Sequence, residues 1–162
     1  MADIDLLIRE ATVDDAELIA ELTRDSWANK VAPSSSGHRE EPKRVAEDLQ
    51  RGGGFVLLRD NVPAGSVRWL PLDTELDVWE ILRMGILPGY RGERLSQHLM
   101  EALIHRALAA DIGELRLAVR SDQEQLLDVY AAFGFEIAPE LEYTRANPME
   151  PSPIVMRRWL RN

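Results

Sequence analysis

Residues 87–108 read LPGYRGERLSQHLMEALIHRAL, and the interpretation of this stretch decides the fold. A Pro88-Gly89 turn runs into Arg91-Gly92 and then, without a gap, into an apolar pattern of helical period. Leu95, Leu99, Leu103 and Ala107 recur at four-residue steps with Met100, Ile104 and Leu108 beside them, which predicts a helix to Ala110 with one buried stripe. Upstream, residues 78–87 read as a strand. A strand, a tight turn and a helix start place unpaired N–H groups and the positive end of the helix dipole at one point, a geometry that binds anions. An ordinary turn before a helix has the same pattern, and on these residues alone both readings stand. The chain has no Gly-Lys-Ser/Thr and no G-x-G-x-x-G, so neither a P-loop nor a dinucleotide cradle is supported.

The composition narrows what such a loop could serve. A length of 162 residues suits a single domain, and 45% hydrophobic with 29% charged residues is the balance of a soluble globular chain. No cysteine is present, which excludes disulfides, thiolate metal sites and cysteine nucleophiles, and the three His are too scattered for a His-only metal site. No apolar run approaches the roughly 20 residues of a membrane span, and the N-terminus MADIDLL is acidic, so a cytoplasmic location is expected. A net charge of -9 disfavours nucleic acid and anionic lipid as partners and suits a basic or amine-bearing one. Residues 88–120 differ from the rest. There Arg91, Arg94, Arg106, Arg116 and Arg120 face Glu93, Glu101, Asp111 and Glu114, so this segment is near neutral and tolerates an anion.

Outward from the loop, the chain reads as alternating elements. Residues 6–11 form a strand, and Thr12 with Asp15 makes a capping box that opens a helix burying Ile19 and Leu22. The polar loop 33–38 precedes a second helix over 42–50, which Gly52-Gly53-Gly54 ends. Strands over 55–59 and 65–70 flank the turn Asp60-Asn61-Val62-Pro63 as a hairpin. After the long helix come a strand over 115–119 and a helix opened by Ser121 and Glu124, which buries Leu126, Leu127, Tyr130 and Phe133 and ends at Gly134. Strands over 135–143 and 154–160 close the chain, leaving an edge that a second copy could cover in a homodimer. The order βααβββαβαββ predicts an α/β fold with a mixed sheet covered by helices on both faces.

The run ILRMGILPGYRGERLSQHLMEALIHRAL, followed by LRLAV and QLLDVYAAFGF, resembles the central region of the GCN5-related N-acetyltransferases, the GNAT family. Ile86-Leu87-Pro88-Gly89-Tyr90-Arg91-Gly92 is similar to the family's V-x-P-x-x-R-G, and Tyr130 with Gly134-Phe135 matches the end of its N-x-x-A-x-x-x-Y-x-x-x-G-F. The element order fits from end to end. The resemblance therefore implies a single GNAT-like acyl-CoA-binding domain over 1–162, with a mostly antiparallel sheet. The departures are specific. In the loop pattern R/Q-x-x-G-x-G/A, Arg91 fits, but Arg94 replaces Gly and Ser96 replaces Gly or Ala; in the helix motif Gln123 replaces Asn and Leu126 replaces Ala. Glycine in such loops accepts positive φ, a penalty that Arg94 avoids only if it lies in ordinary helical φ/ψ. Arg94 then adds a charge beside the phosphates, points to solvent, or marks a loop that no longer binds.

The resemblance implies transfer of an acetyl group from acetyl-CoA, with no metal, to a small-molecule or peptide amine by direct attack. It assigns cofactor contacts to Met84, Gly85 and Ile86, to Arg91, Gly92, Glu93, Arg94, Leu95 and Ser96, and to Gln123. Tyr130 would protonate the departing thiolate, although at its helical spacing it equally fits a core aromatic. An alkyl ammonium must lose a proton before it attacks, and Glu80 on the strand 78–87 is the leading candidate base, against the plainer reading of a solvated carboxylate. Asp77, His38 and Glu40 are weaker candidates. Trp27, Trp69 and Trp79 could wall the acceptor pocket or pack as core. Two functions stand: an N-acetyltransferase, and an acyl-CoA-binding or catalytically weakened interaction module with a degenerate loop.

Overall fold

A computed structural model of the chain describes residues 5–27, 39–144, 148–149 and 151–161; the loop 33–38, and with it His38, lies outside the described residues. The strands are β1 (Leu6–Glu10), β2 (Gly53–Arg59), β3 (Val62–Pro71), β4 (Val78–Ile86), β5 (Glu114–Val119), β6 (Glu136–Ile137) and β7 (Ile154–Trp159). They form one sheet in the order β1-β2-β3-β4-β5-β7-β6, in which β4 and β5 are parallel neighbours and every other pair is antiparallel. The helices are α1 (Ala16–Trp27), α2 (Pro42–Arg51), α3 (Leu95–Ala109) and α4 (Leu126–Ala131). The observed order is the βααβββαβαββ expected from the sequence.

Strand alternation divides the core. Phe55 and Leu57 of β2 face α3 and pack with Leu95, Leu99, Met100, Leu103 and Ala107, whereas Val56 between them faces Ile19, Ala20, Val45 and Leu49 of α1 and α2. Trp69 and Trp79 stack at 5.1 Å inside the α3 cluster, so both are core rather than acceptor-pocket walls. The box at Thr12 and Asp15 forms, with the Thr12 N–H donating to Asp15 at 2.9 Å, but it opens a 3-10 turn, Val13–Asp15, that leads into α1.

Four boundaries differ from the sequence expectation. Gly53 and Gly54 belong to β2, opposite Trp69 and Arg68, because a Cβ at Gly53 would lie 2.4 Å from the Trp69 ring. The hairpin turn is only Asp60-Asn61, both at positive φ, and Val62 and Pro63 are already in β3. The strand expected over 135–143 pairs at Glu136 and Ile137 and stops, since Pro139 has no N–H to continue the ladder and the Leu141 N–H turns back to Ala138. Likewise the Ser121-Glu124 box opens no helix: Gln123 and Leu126 make successive three-residue turns, and α4 starts at Leu126.

The α1/α2 layer is pinned to the sheet by a charge. Arg68 of β3 is 1% exposed, pairs with Glu40 and donates to Asp48 at 2.9 Å, both carboxylates being buried ahead of and within α2. Breaking one partner of a buried ion pair leaves the others uncompensated. Arg68→Met is expected to lower unfolding free energy by about 3–5 kcal/mol, while the triple change of Arg68, Glu40 and Asp48 to apolar residues of similar volume should cost much less. Urea unfolding measures both; a loss below about 1 kcal/mol in the single variant would show that the pair does not hold the layer.

Candidate active site

The pairing of β4 with β5 covers Val78↔Glu114, Trp79↔Leu115 and Glu80↔Arg116 and ends there, whereas β4 stays paired with β3 up to Ile86. From residue 81 onward the two parallel strands splay. The Leu87 N–H donates to Ala64 of the β3 side at 2.8 Å. Peptide groups alternate along a regular strand, so that of Ile86 points to the opposite side, into the splay, and the Gly85 amide points to β3, whereas Met84 lies where the β3–β4 register is interrupted. Gly85 is also a place of close packing, since a Cβ there would lie 2.7 Å from the Trp27 ring.

A bulge sits where the strands part. Arg68 opposes Leu82 and Ser66 opposes Gly85, which leaves Arg83 and Met84 against Val67 alone, with Arg83 at φ 56. The bulge sends Arg83 to the α1/α2 face, where it lies 3.3 Å from Glu40 and 5.9 Å from the Trp27 ring, while Met84 packs on the α3 side.

The loop from β4 to α3 begins at the same end of the sheet. A 3-10 turn, Pro88–Tyr90, leads to Gly92 at φ 89 and Arg94 at φ 60, ψ 27. Arg94 is thus left-handed, not in the ordinary helical region, and a non-glycine residue there costs about 1–2 kcal/mol. Among the described residues, no acceptor engages the N–H groups of Gly92, Glu93, Arg94, Leu95 or Ser96, and the Arg94 side chain is exposed without an ion pair. Five amides at a helix start, held by two left-handed residues, fit a diphosphate. The Arg91 side chain does not join them. It donates to the Ser26 carbonyl at 2.6 Å and so caps the end of α1. Leu95 is buried in the core, so only its amide is offered, and Glu93 pairs with Arg59.

Because β4 and β5 are parallel, α4 also starts at this end. Tyr130 is half-buried with its ring edge-on to Phe135 at 6.3 Å, and its carbonyl accepts from the Phe135 N–H across Gly134, which takes the left-handed conformation at φ 88. Burial pushes the Tyr130 phenol above its ordinary pKa, so it keeps its proton. Gln123 is buried in the turn before α4, where its side-chain oxygen accepts from Gln125 at 3.0 Å.

Glu80 is not a solvated carboxylate. It is 4% exposed, shares the sheet face of Leu82 and Arg68, and accepts a hydrogen bond from Thr144 at 2.5 Å. Asp77 lies at the opposite end of β4, paired with Arg161 at 3.1 Å, and Glu40 is locked between Arg68 and Arg83; neither is placed to act as base. The sequence reading missed Thr144, Arg83 and Arg59, and only the lone charge within GSVRWL hinted at Arg68.

Among the described residues no helix is long and apolar enough to cross a membrane. The model of the acetyltransferase (GNAT) family matches residues 17–135. The histone acetyltransferase TAP1 of Glycine max is 38% identical over 63 residues, which is 39% of this chain but only 25% of that protein. An IAA acetyltransferase of Azospirillum brasilense is 28% identical over 80% of this chain and 82% of its own. Among solved structures, the PaiA N-acetyltransferase of Thermoplasma acidophilum in complex with coenzyme A superposes with a TM-score of 0.75 at 17% identity, covering 96% of this chain and 99% of that one. With more than half its length matched and the splayed parallel pair in place, the chain belongs to the acetyltransferase (GNAT) family of enzymes.

Proposed function

We propose that the chain is an N-acetyltransferase that moves an acetyl group from acetyl-CoA to a primary amine of a small molecule or peptide by direct attack. One observation carries the reading. The amides that β4 exposes beyond Glu80 and the unpartnered amides of Gly92 to Ser96 lie at one end of the sheet, matching a ligand with an acyl thioester at one end and a diphosphate along its length. The coenzyme A bound to the Thermoplasma protein supports the same assignment.

Acetyl-CoA supplies the activated acyl group and a thiolate leaving group. The Ile86 amide, with that of Met84 at the bulge beside it, donates to the carbonyl oxygen as it gains negative charge during attack, a type of contact that lowers the barrier by about 2.7–4 kcal/mol. Glu80, held by Thr144, takes the proton that the ammonium must lose, directly or through water. Tyr130 Oη, a neutral phenol whose burial pushes its pKa further up, gives a proton to the departing sulfur. The five loop amides hold the diphosphate. Trp27 and Arg83, on the α1/α2 face of the splay, border the side from which the amine enters.

A second reading has one observation in its favour: Arg94 carries left-handed strain where the family has glycine, as a loop drifting from cofactor binding would. A thiol-release assay with acetyl-CoA and a panel of primary amines, alongside calorimetric titration of CoA, separates the readings. Binding without turnover on any amine supports the weakened module; no binding removes both.

Tyr130→Phe is expected to lower kcat by about tenfold to a thousandfold with CoA affinity nearly unchanged. Full turnover with a lowered melting temperature would make Tyr130 a core residue only. Arg94→Gly should relieve the left-handed strain and stabilise the fold by about 1 kcal/mol, whereas Arg94→Ala keeps the strain and should not. If the Arg94 guanidinium meets the phosphates, both variants bind CoA more weakly at low salt and the difference shrinks at high salt. Tighter binding by Arg94→Gly than by the parent would show that Arg94 obstructs the cradle.

A further inference from the structure

The amide cradle contains an acid. Glu93 lies between the two left-handed residues of the loop, where its carboxylate would repel any phosphate that the neighbouring amides attract. Its charge is met from another element. Arg59, the last residue of β2, pairs through Nε with Glu93, donates through Nη1 to Asp60 at 3.0 Å, and sets its guanidinium 5.9 Å from the centre of the Tyr90 ring. The Asp60-Asn61 turn next to it is a two-residue loop, which holds Arg59 at the mouth of the cradle. Nη2 has no partner among the described residues. With Arg91 capping α1, Arg59 is the cation that faces Glu93 directly.

We propose that Arg59 is a further cofactor-positioning residue, which cancels the charge of Glu93 and so lets the 92–96 amides accept a diphosphate. This rests on the acetyl-CoA reading and deepens it. The effect is electrostatic and indirect, and it makes a sign prediction that a direct phosphate contact does not: removing Glu93 should make Arg59 dispensable.

The test is calorimetric affinity for CoA, and for pantetheine, which lacks phosphate, in the parent, Arg59→Ala, Glu93→Gln and the double variant, at low and high salt. Melting curves confirm that each variant is folded. Arg59→Ala should weaken CoA binding by about threefold to tenfold at low salt and less at high salt, as expected for an unscreened charge within a Debye length of the ligand. Glu93→Gln should bind CoA as tightly as the parent or tighter, the double variant should recover most of the Arg59→Ala loss, and pantetheine should not discriminate among the four. An unchanged affinity in Arg59→Ala, or a double variant as weak as Arg59→Ala, overturns the proposal while leaving the acetyl-CoA reading intact. A parent protein that does not take up CoA overturns that reading, and this proposal with it.

Discussion

The constraint on which the molecule depends is that β4 must keep β3 on one side and release β5 on the other. A peptide group stripped of its ladder partner and kept from water is costly, so a strand edge left open inside a sheet persists only where something else can meet it. Here Trp79 and Glu80 are paired on both sides, whereas Ile81, Leu82, Gly85 and Ile86 are paired with β3 alone and Arg83 and Met84 bulge out of register. The bulge at Arg83 and Met84 follows within four residues of the last β5 pairing and adds local twist along the diverging stretch. Because β4 and β5 run in the same direction, the helix that follows each starts at the open end. The cleft, the amide loop and Tyr130 are therefore consequences of one parallel pairing that stops early.

Holding that opening requires rigid flanks, and the two faces achieve this by different means. On the α3 side the flank is apolar: the Trp69–Trp79 stack, Phe55 and the leucines of α3 fill the space by dispersion and area burial. On the α1/α2 side it is ionic. Arg68 ties Glu40 and Asp48 to β3, Glu40 reaches on to Arg83 at the bulge, and Arg91 fastens the end of α1 to the loop. Charges buried in this way contribute less to stability than apolar packing of the same volume, but they restrict where the layer can sit. The α1/α2 side of the splay is thus built around fixed charges, and the α3 side around a core.

Periodic features were legible in the sequence. The four-residue apolar step of α3, the Thr12-Asp15 box and the Gly134 cap each depend on neighbours within a turn or two, so local pattern carried them. Apart from the stop of β6 before Pro139, which is local, what failed depended on distant contacts. The glycine triplet read only as the end of α2 because nothing nearby reveals that Trp69, across the hairpin, presses on Gly53 and that Gly53 and Gly54 start β2. For Glu80 the candidate base and the solvated carboxylate could not be separated, because its partner Thr144 is 64 residues away, and the pairing of the Glu93 side chain was hidden because Arg59 is 34 residues upstream. The departure at Arg94 was visible, but its left-handed conformation was not, since a loop's φ/ψ follows from where its two ends are anchored.

On the proposed reading, an acidic chain takes up an anionic co-substrate and must solve the problem locally. At physiological ionic strength charges are screened over about 8 Å, so the net -9 acts on encounter more than on the bound ligand. Within the loop's own reach stand Arg59, Arg91 and Arg94 against Asp60 and Glu93, an excess of one positive charge (3 − 2). One of these three cations is committed to the end of α1 and one to the carboxylates beside it, which leaves Arg94 as the cation with no protein partner among the described residues. Substituting glycine there would relax the backbone and remove that charge together. The strain of a left-handed arginine and the electrostatic requirement of an acidic chain are therefore opposed at one residue, and the retention of Arg94 over glycine is explained if the charge outweighs the strain.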